Sequence, residues 1–227
     1  MMNTDQIQAF DPEQPYSVVW RRLPHWAQAG TMCFITWRTG DSIPRDVVKR
    51  WIAERNALLL SQGIRVNDGG IGERGMHWKQ LVERLPPAAH WKVQCDMTDQ
   101  FEQHLDACHG ACLLRRRELA TIVGDSLQRF DGDRYELTDF VVMPNHVHVL
   151  VAFRDEETML KQCAGWKRYT ARQINEAIGA SGEFWQEDSF DHLVRGPEQF
   201  GHYRRYIAEN GRRANLPETD YLVFSKV

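Results

Sequence analysis

Runs of alternating or continuous apolar residues along this chain predict strands, and apolar residues recurring every three to four positions predict helices. The clearest case is 141–151, where two β-rich apolar runs meet at Met143-Pro144-Asn145 and predict a hairpin of 135–143 and 146–153. Side chains alternate across a strand, so His146 and His148 leave one face with Cα atoms about 7 Å apart. Val147, Val149 and Val151 point the other way, into a core. That spacing lets both imidazoles converge on one divalent ion or on one phosphate oxygen.

Residues 31–39, rich in β-branched and aromatic side chains, predict a strand. Gly40-Asp41-Ser42 turns the chain, and Pro44 suits the first turn of a helix over 45–61 that ends at Gly63. A helix over 116–130 carries Leu119, Ile122, Val123 and Leu127 on one side. A long helix over 158–178 stops at Gly179, a strand covers 184–194, and a last helix over 197–210 has Gly211 at its C-terminal boundary. Residues 63–112 read as an insertion with a short helix at 78–85 before Pro86-Pro87. The order β-α-(insert)-β-β-α-β-α predicts an α+β, ferredoxin-like split β-α-β fold: an antiparallel sheet with helices on one face. Residues 1–30 read as a lead-in whose Trp20 and Trp26 pack onto the body, 31–215 as the domain, and 216–227 as a tail.

A chain of 227 residues, 42% hydrophobic with ten phenylalanines and eight tryptophans, has ample material for a core. It has no apolar run long enough to cross a membrane, and its start lacks the basic-then-apolar layout of a signal peptide. The expectation is a cytoplasmic protein without a membrane partner. Five cysteines, an odd number, suit reduced thiols.

The net charge of −3 does not announce a nucleic-acid binder, but charge is uneven. Between 161 and 175 lie Lys161, Lys167, Arg168 and Arg172 with no acidic residue, and between 203 and 213 four arginines face only Glu209. Local basic patches of this kind serve phosphate contact. Lys167, Arg168, Arg172, Arg204 and Arg205 are the candidates, with a solvated helix face as the alternative. Two tempting patterns are set aside. Gly70, Gly72 and Gly75 satisfy GxGxxG without a strand before them and are assigned to loop. Cys108 and Cys112 flank His109 without a second half at zinc spacing and are read as free thiols.

Tyr206 and Asn210 are four apart in the last predicted helix and share one of its faces. Asn210 offers an oxygen to complete a site begun by two imidazoles, with Tyr206 one turn earlier. A hard oxygen donor beside two histidines, with other positions left to water and substrate, suits Mg²⁺ or Mn²⁺. Tyr169, in Lys167-Arg168-Tyr169-Thr170, is the rival nucleophile. With no amide or acidic donor one turn away, it reads as a DNA-contact or packing residue.

Met143-Pro144-Asn145-His146-Val147-His148 resembles the His-hydrophobe-His signature of single-tyrosine transposases. Further segments resemble the branch called REP-associated tyrosine transposases. They are Phe34-Ile35-Thr36-Trp37-Arg38, Trp166-Lys167-Arg168-Tyr169-Thr170, Trp185-Gln186 with Phe190-Asp191, and Tyr206-Ile207 with Asn210. The resemblance runs from about residue 31 to 213. It implies a ferredoxin-like HUH nuclease acting on single-stranded or hairpin DNA, with His146, His148 and Asn210 as metal ligands and Tyr206 as nucleophile. The family usually has proline after the asparagine, where this chain has Gly211.

A phenol with a reference pKa of about 10 is a poor nucleophile unaided, and a divalent ion can polarise the phosphate it attacks. The resemblance therefore implies cleavage and strand transfer through a 5′-phosphotyrosine, as in DNA transposition at hairpin-forming repeats. The alternatives are a domesticated protein that binds hairpin DNA without cutting, a relaxase, and a zinc hydrolase. Whether the protein works as a monomer or a homodimer, with the catalytic helix from the same or a partner subunit, is left open by the sequence.

Overall fold

The structure is a computed structural model. It describes residues 8–20, 24–187 and 189–226, except for the side chains of Val19, Trp20, Pro24, His25 and Gln94. The expected packing of Trp20 lies outside the described residues, whereas Trp26 and Phe10 pack against the main core.

A hairpin pairs β1 (Ser17–Trp20) with β2 (Pro24–Ala27). Then come β3 (Met32–Arg38), α1 (Arg45–Ser61), α2 (Trp78–Val82) and α3 (Pro87–Asp106). They are followed by α4 (Arg117–Gln128), β4 (Tyr135–Val142), β5 (His146–Phe153) and α5 (Glu156–Ile178). The chain ends with β6 (Phe190–Leu193), α6 (Pro197–Arg213) and β7 (Leu222–Ser225). Two compact units result: Ile43–Gly110, and Met1–Ser42 together with Ala111–Val227.

The larger unit holds an antiparallel sheet in the order β6-β3-β5-β4-β7. The run β3-α4-β4-β5-α5-β6 is ferredoxin-like, and β7 extends it at the β4 edge. The helix expected to follow the first strand, α1, belongs instead to the inserted unit, and α4 takes its place against the sheet. The expected tail contributes β7, and the strand expected at 184–194 shortens to β6 plus a bridge from Trp185 to Thr39.

Central β5 is buried along its whole length, which suits its valine-rich sequence. One face packs Cys33, Ile35, Trp37, Val147, Val149 and Val151 against α4 and α5 through Leu119, Val123, Leu127, Met159, Trp166 and Ile174. The other face packs Phe34, Val141 and Leu150 against Phe200, Tyr206 and Ile207 of α6. Helices therefore cover both faces, not one as expected. An amphipathic helix following β6 has its own apolar stripe to bury, and the face opposite α4 and α5 carries the Phe34 and Leu150 surface that receives it. A bulge between Leu137 and Asp139 keeps Leu137 on the same face as Phe140 and Val142 by inserting one residue into the alternation.

In the inserted unit, α1, α2 and α3 bury Leu59, Val82, Val93 and Met97, with a second cluster of Ile43, Val47 and Leu105. The Gly70–Gly75 segment is loop, as expected, with isolated bridges and one 3₁₀ turn.

Candidate active site

Three residues, Met143, Pro144 and Asn145, connect β4 to β5, and the turn is closed by Met143 N–H donating to His146 O at 2.8 Å. Pro144 sits where no ladder donor is required. Strand alternation then places His146 and His148 on the α6 face, both fully buried, with ring centroids 4.7 Å apart.

Each imidazole is held by its Nδ1. His146 Nδ1 donates to Asn145 Oδ1 at 2.8 Å, because a carbonyl oxygen only accepts. His148 Nδ1 is hydrogen-bonded to Thr36 Oγ1 at 2.7 Å, across the register that pairs Thr36 with His148. Phe34 stacks on the His148 ring at 5.2 Å and on Tyr203 at 4.2 Å, fixing the imidazole plane. These contacts leave both Nε2 atoms turned into the buried space without a hydrogen-bond partner. Burial lowers the pKa of His146 to about 3, opposed by the neighbouring Asn210 amide. Burial, then His146, then Arg213 push His148 well below the ordinary histidine value. Both rings are therefore neutral near pH 7, the state a metal ligand needs.

Helix α6 starts at Pro197, which suits a first helical position. Its buried stripe includes Phe200, Tyr206, Ile207 and Asn210. Tyr206 meets His148 edge-to-face at 5.1 Å, and the Arg213 guanidinium lies 4.9 Å from the Tyr206 ring centroid. Both side-chain polar atoms of Asn210 are buried without a hydrogen-bond partner. The chain's own α6 thus delivers Tyr206 and Asn210 to its own histidines.

Buried polar atoms left unpaired cost about 1–3 kcal/mol each, and a cation bound between them would remove that cost. Two imidazole Nε2 atoms and the Asn210 Oδ1 fit a divalent ion. Among the described residues no three His, Cys, Asp or Glu side chains group to hold a metal; the further buried polar side chain beside the two imidazoles is the Asn210 amide.

The remaining sites expected from sequence fall elsewhere. Lys167, Arg168, Tyr169 and Arg172 lie on α5, which packs on the sheet face opposite the histidines. Tyr169 is exposed there, so Tyr206 and not Tyr169 adjoins the imidazoles. Lys167 Nζ donates to Glu187 O, and Lys167 and Arg168 line a cavity with Phe184 and Trp185. Arg204 donates from Nε to both oxygens of buried Asp139, at 3.2 and 3.0 Å, while Arg205 is exposed. Gly211 is not a helix stop: α6 runs on to Arg213, and a Cβ at Gly211 would sit 2.3 Å from the Tyr221 ring. None of the five cysteines is joined in a disulfide.

Three residues beside the site escaped the sequence reading. Thr36 and Asn145 orient the imidazoles, and Arg213 covers the tyrosine. Asn145 had a local signal, adjacency to His146; Thr36 becomes visible only once β3 is registered against β5.

Residues 116–210 match the family model of IS200-like transposases. The matched stretch begins just before α4 and ends on Asn210, so it contains both histidines, Tyr206 and the amide. A solved structure described as a REP-associated tyrosine transposase bound to a REP hairpin aligns at 14% identity and a TM-score of 0.41. The alignment covers 88% of this chain and 76% of that one. No curated protein matches the chain.

Proposed function

We propose that this protein cleaves and rejoins single-stranded DNA at hairpin-forming sequences, using a divalent metal and a 5′-phosphotyrosine intermediate. The observation that carries the reading is the meeting of Tyr206 and Asn210, on one face of α6, with two neutral imidazoles whose Nε2 atoms are unpaired. The IS200-like match over these residues supports it.

His146, His148 and Asn210 would hold Mg²⁺ or Mn²⁺. When bound, the ion supplies Lewis-acid polarisation of the scissile phosphate. Asn145 and Thr36 keep the two Nε2 lone pairs aimed at the site. Tyr206 Oη attacks phosphorus, the P–O3′ bond breaks, and the phenolic proton passes to water as the leaving 3′-oxygen takes up a proton. Attack by another 3′-hydroxyl reverses the step and joins strands without an added energy source, because the phosphotyrosine retains the phosphodiester. Packing against Phe34 and His148 restrains the tyrosine ring, so little rotamer freedom is lost on reaction.

The test incubates the protein with Mn²⁺ and end-labelled single-stranded hairpin oligonucleotides, then looks for a denaturant-resistant protein–DNA adduct. The adduct is expected in wild type and Tyr169→Phe and absent in Tyr206→Phe. Tight hairpin binding with no adduct under any metal would establish a non-cutting DNA-binding protein instead. Loss in Tyr169→Phe alone would move the nucleophile to α5.

A further inference from the structure

Arg213 is exposed, yet its guanidinium lies 4.9 Å from the centroid of the buried Tyr206 ring. It is seven residues after Tyr206 and three after Asn210, so all three share one face of α6. Among the described residues no carboxylate pairs with it, although α6 offers one at Glu209. The contrast with Arg204 is direct: that guanidinium is committed to Asp139, whereas among the described residues Arg213 lies over the aromatic face of Tyr206 with no carboxylate partner. A guanidinium offers five donors in a planar fork matched to the oxygens of a phosphate, and cation–π contact uses none of them. The arrangement is a cationic anion receptor held beside the nucleophile, with its donors available.

We propose that Arg213 contacts the non-bridging oxygens of the scissile phosphodiester and seats the phosphorus against Tyr206. The inference rests on the transesterase reading above. Tyr206 and the imidazoles are buried, so the DNA strand meets Arg213 first. Its guanidinium turns from the ring face to the phosphate, and the charge that develops on the phosphoryl oxygens during attack is stabilised by the fork. Bonds break and form as written for Tyr206; Arg213 keeps its protons throughout.

The experiment first maps the scissile phosphate from the wild-type adduct formed with Mn²⁺. Single-turnover adduct formation is then compared for wild type, Arg213→Gln and Arg213→Lys. Arg213→Gln is expected to slow it by about 100-fold, the usual loss on removing one donor to a developing oxyanion, and Arg213→Lys to recover part of the rate. A second readout measures binding in the non-cleaving Tyr206→Phe background, using an oligonucleotide with one neutral methylphosphonate at the mapped position. The substitution should weaken binding about tenfold when Arg213 is present, the scale of one charge-assisted contact, and less than twofold in Arg213→Gln.

A rate within threefold of wild type for Arg213→Gln overturns the proposal. So does a methylphosphonate penalty of equal size with and without Arg213, since a merely structural arginine would not sense that charge. Absence of any adduct with wild type refutes the transesterase reading itself, and this inference with it. That outcome is distinguishable because it does not depend on residue 213.

Discussion

Replacing Arg204 with alanine tests whether the arginines of α6 serve DNA or the fold. The Asp139 carboxylate, with its side chain 3% exposed, accepts both Nε contacts of Arg204 and the Ser225 hydroxyl at 2.5 Å. Arg204 also donates to Ser225 Oγ at 2.9 Å, so one guanidinium ties α6 to β4 and to edge strand β7. Removing one partner of a fully buried pair costs about 3–5 kcal/mol. The Arg204 side chain is 35% exposed, water can replace part of the contact, and Ser225 remains, which lowers the expected loss to about 2–3 kcal/mol. For a chain of this size that is a fall in Tm of roughly 5–10 °C. Arg205, exposed on the same helix, should change stability by less than about 0.5 kcal/mol when mutated. Calorimetry gives both values, and binding of a hairpin oligonucleotide at several salt concentrations gives the complementary measurement. Arg205→Ala is expected to reduce the salt slope by about 0.7 if it neutralises a single-strand phosphate, and Arg204→Ala to leave it unchanged. An Arg204→Ala protein that melts within 1 °C of wild type, but binds DNA with a reduced salt slope, would refute the reasoning.

Gly211→Ala should destabilise despite its better helix propensity, worth about 1 kcal/mol. The new Cβ meets Tyr221 ring carbons at 2.3–2.5 Å, and overpacking of this kind costs about 1–3 kcal/mol. In a Tyr221→Ala background the same change should become stabilising, and thermal melting of the four proteins in the cycle decides it. Thr36→Val removes the hydrogen bond to His148 Nδ1 and is expected to weaken Mn²⁺ binding about 10- to 100-fold by titration calorimetry; unchanged affinity would show that Thr36 does not orient the ligand. Acid should destabilise the metal-free protein. Burial, then Arg195, lower the pKa of His192 to about 4 against a partial opposing bond from Gln199. Above pH 6.5 the ring is neutral folded and unfolded, so it contributes nothing; below 6.5 the unfolded chain takes up a proton that the fold refuses. Stability should therefore be lost between about pH 6.5 and 4, by up to about 3 kcal/mol from His192 alone. His146 acts in the same direction, and a Tm constant from pH 7 to 4.5 would contradict both assignments.

The histidine strand was legible because its information is local. Two-residue periodicity decides that His146 and His148 share a face, and the valines between them decide which way the other face points. Tyr206 and Asn210 were legible for the matching reason, four-residue spacing in a helix with a strong apolar stripe. Sequence spacing does not say which face of the sheet a helix covers, and for that reason α6 was expected beside α4 and α5. The long helix α3 was missed because its apolar positions, Val93, Met97, Phe101 and Leu105, are sparse among polar residues, and Trp91 sits exposed. Pro86-Pro87 read as a break, whereas Pro87 occupies a first helical position where its missing N–H costs nothing.

The basic residues show where local reading stops. Arg204, Arg205 and Arg213 are indistinguishable as letters on one helix, but the structure gives them three different surroundings. Arg204 meets Asp139 because the β4 bulge changes the phase of that strand and because β7 brings Ser225 alongside. Both facts belong to pairings of residues far apart in the chain. Arg213 escapes such a partner and rests on Tyr206, since α6 continues through Gly211 for the one turn that carries it there. Gly211 within that turn leaves room for the Tyr221 ring against the helix. A glycine that reads as the end of the helix thus lies inside it, and the turn beyond it puts beside the tyrosine a cation that has no carboxylate partner among the described residues.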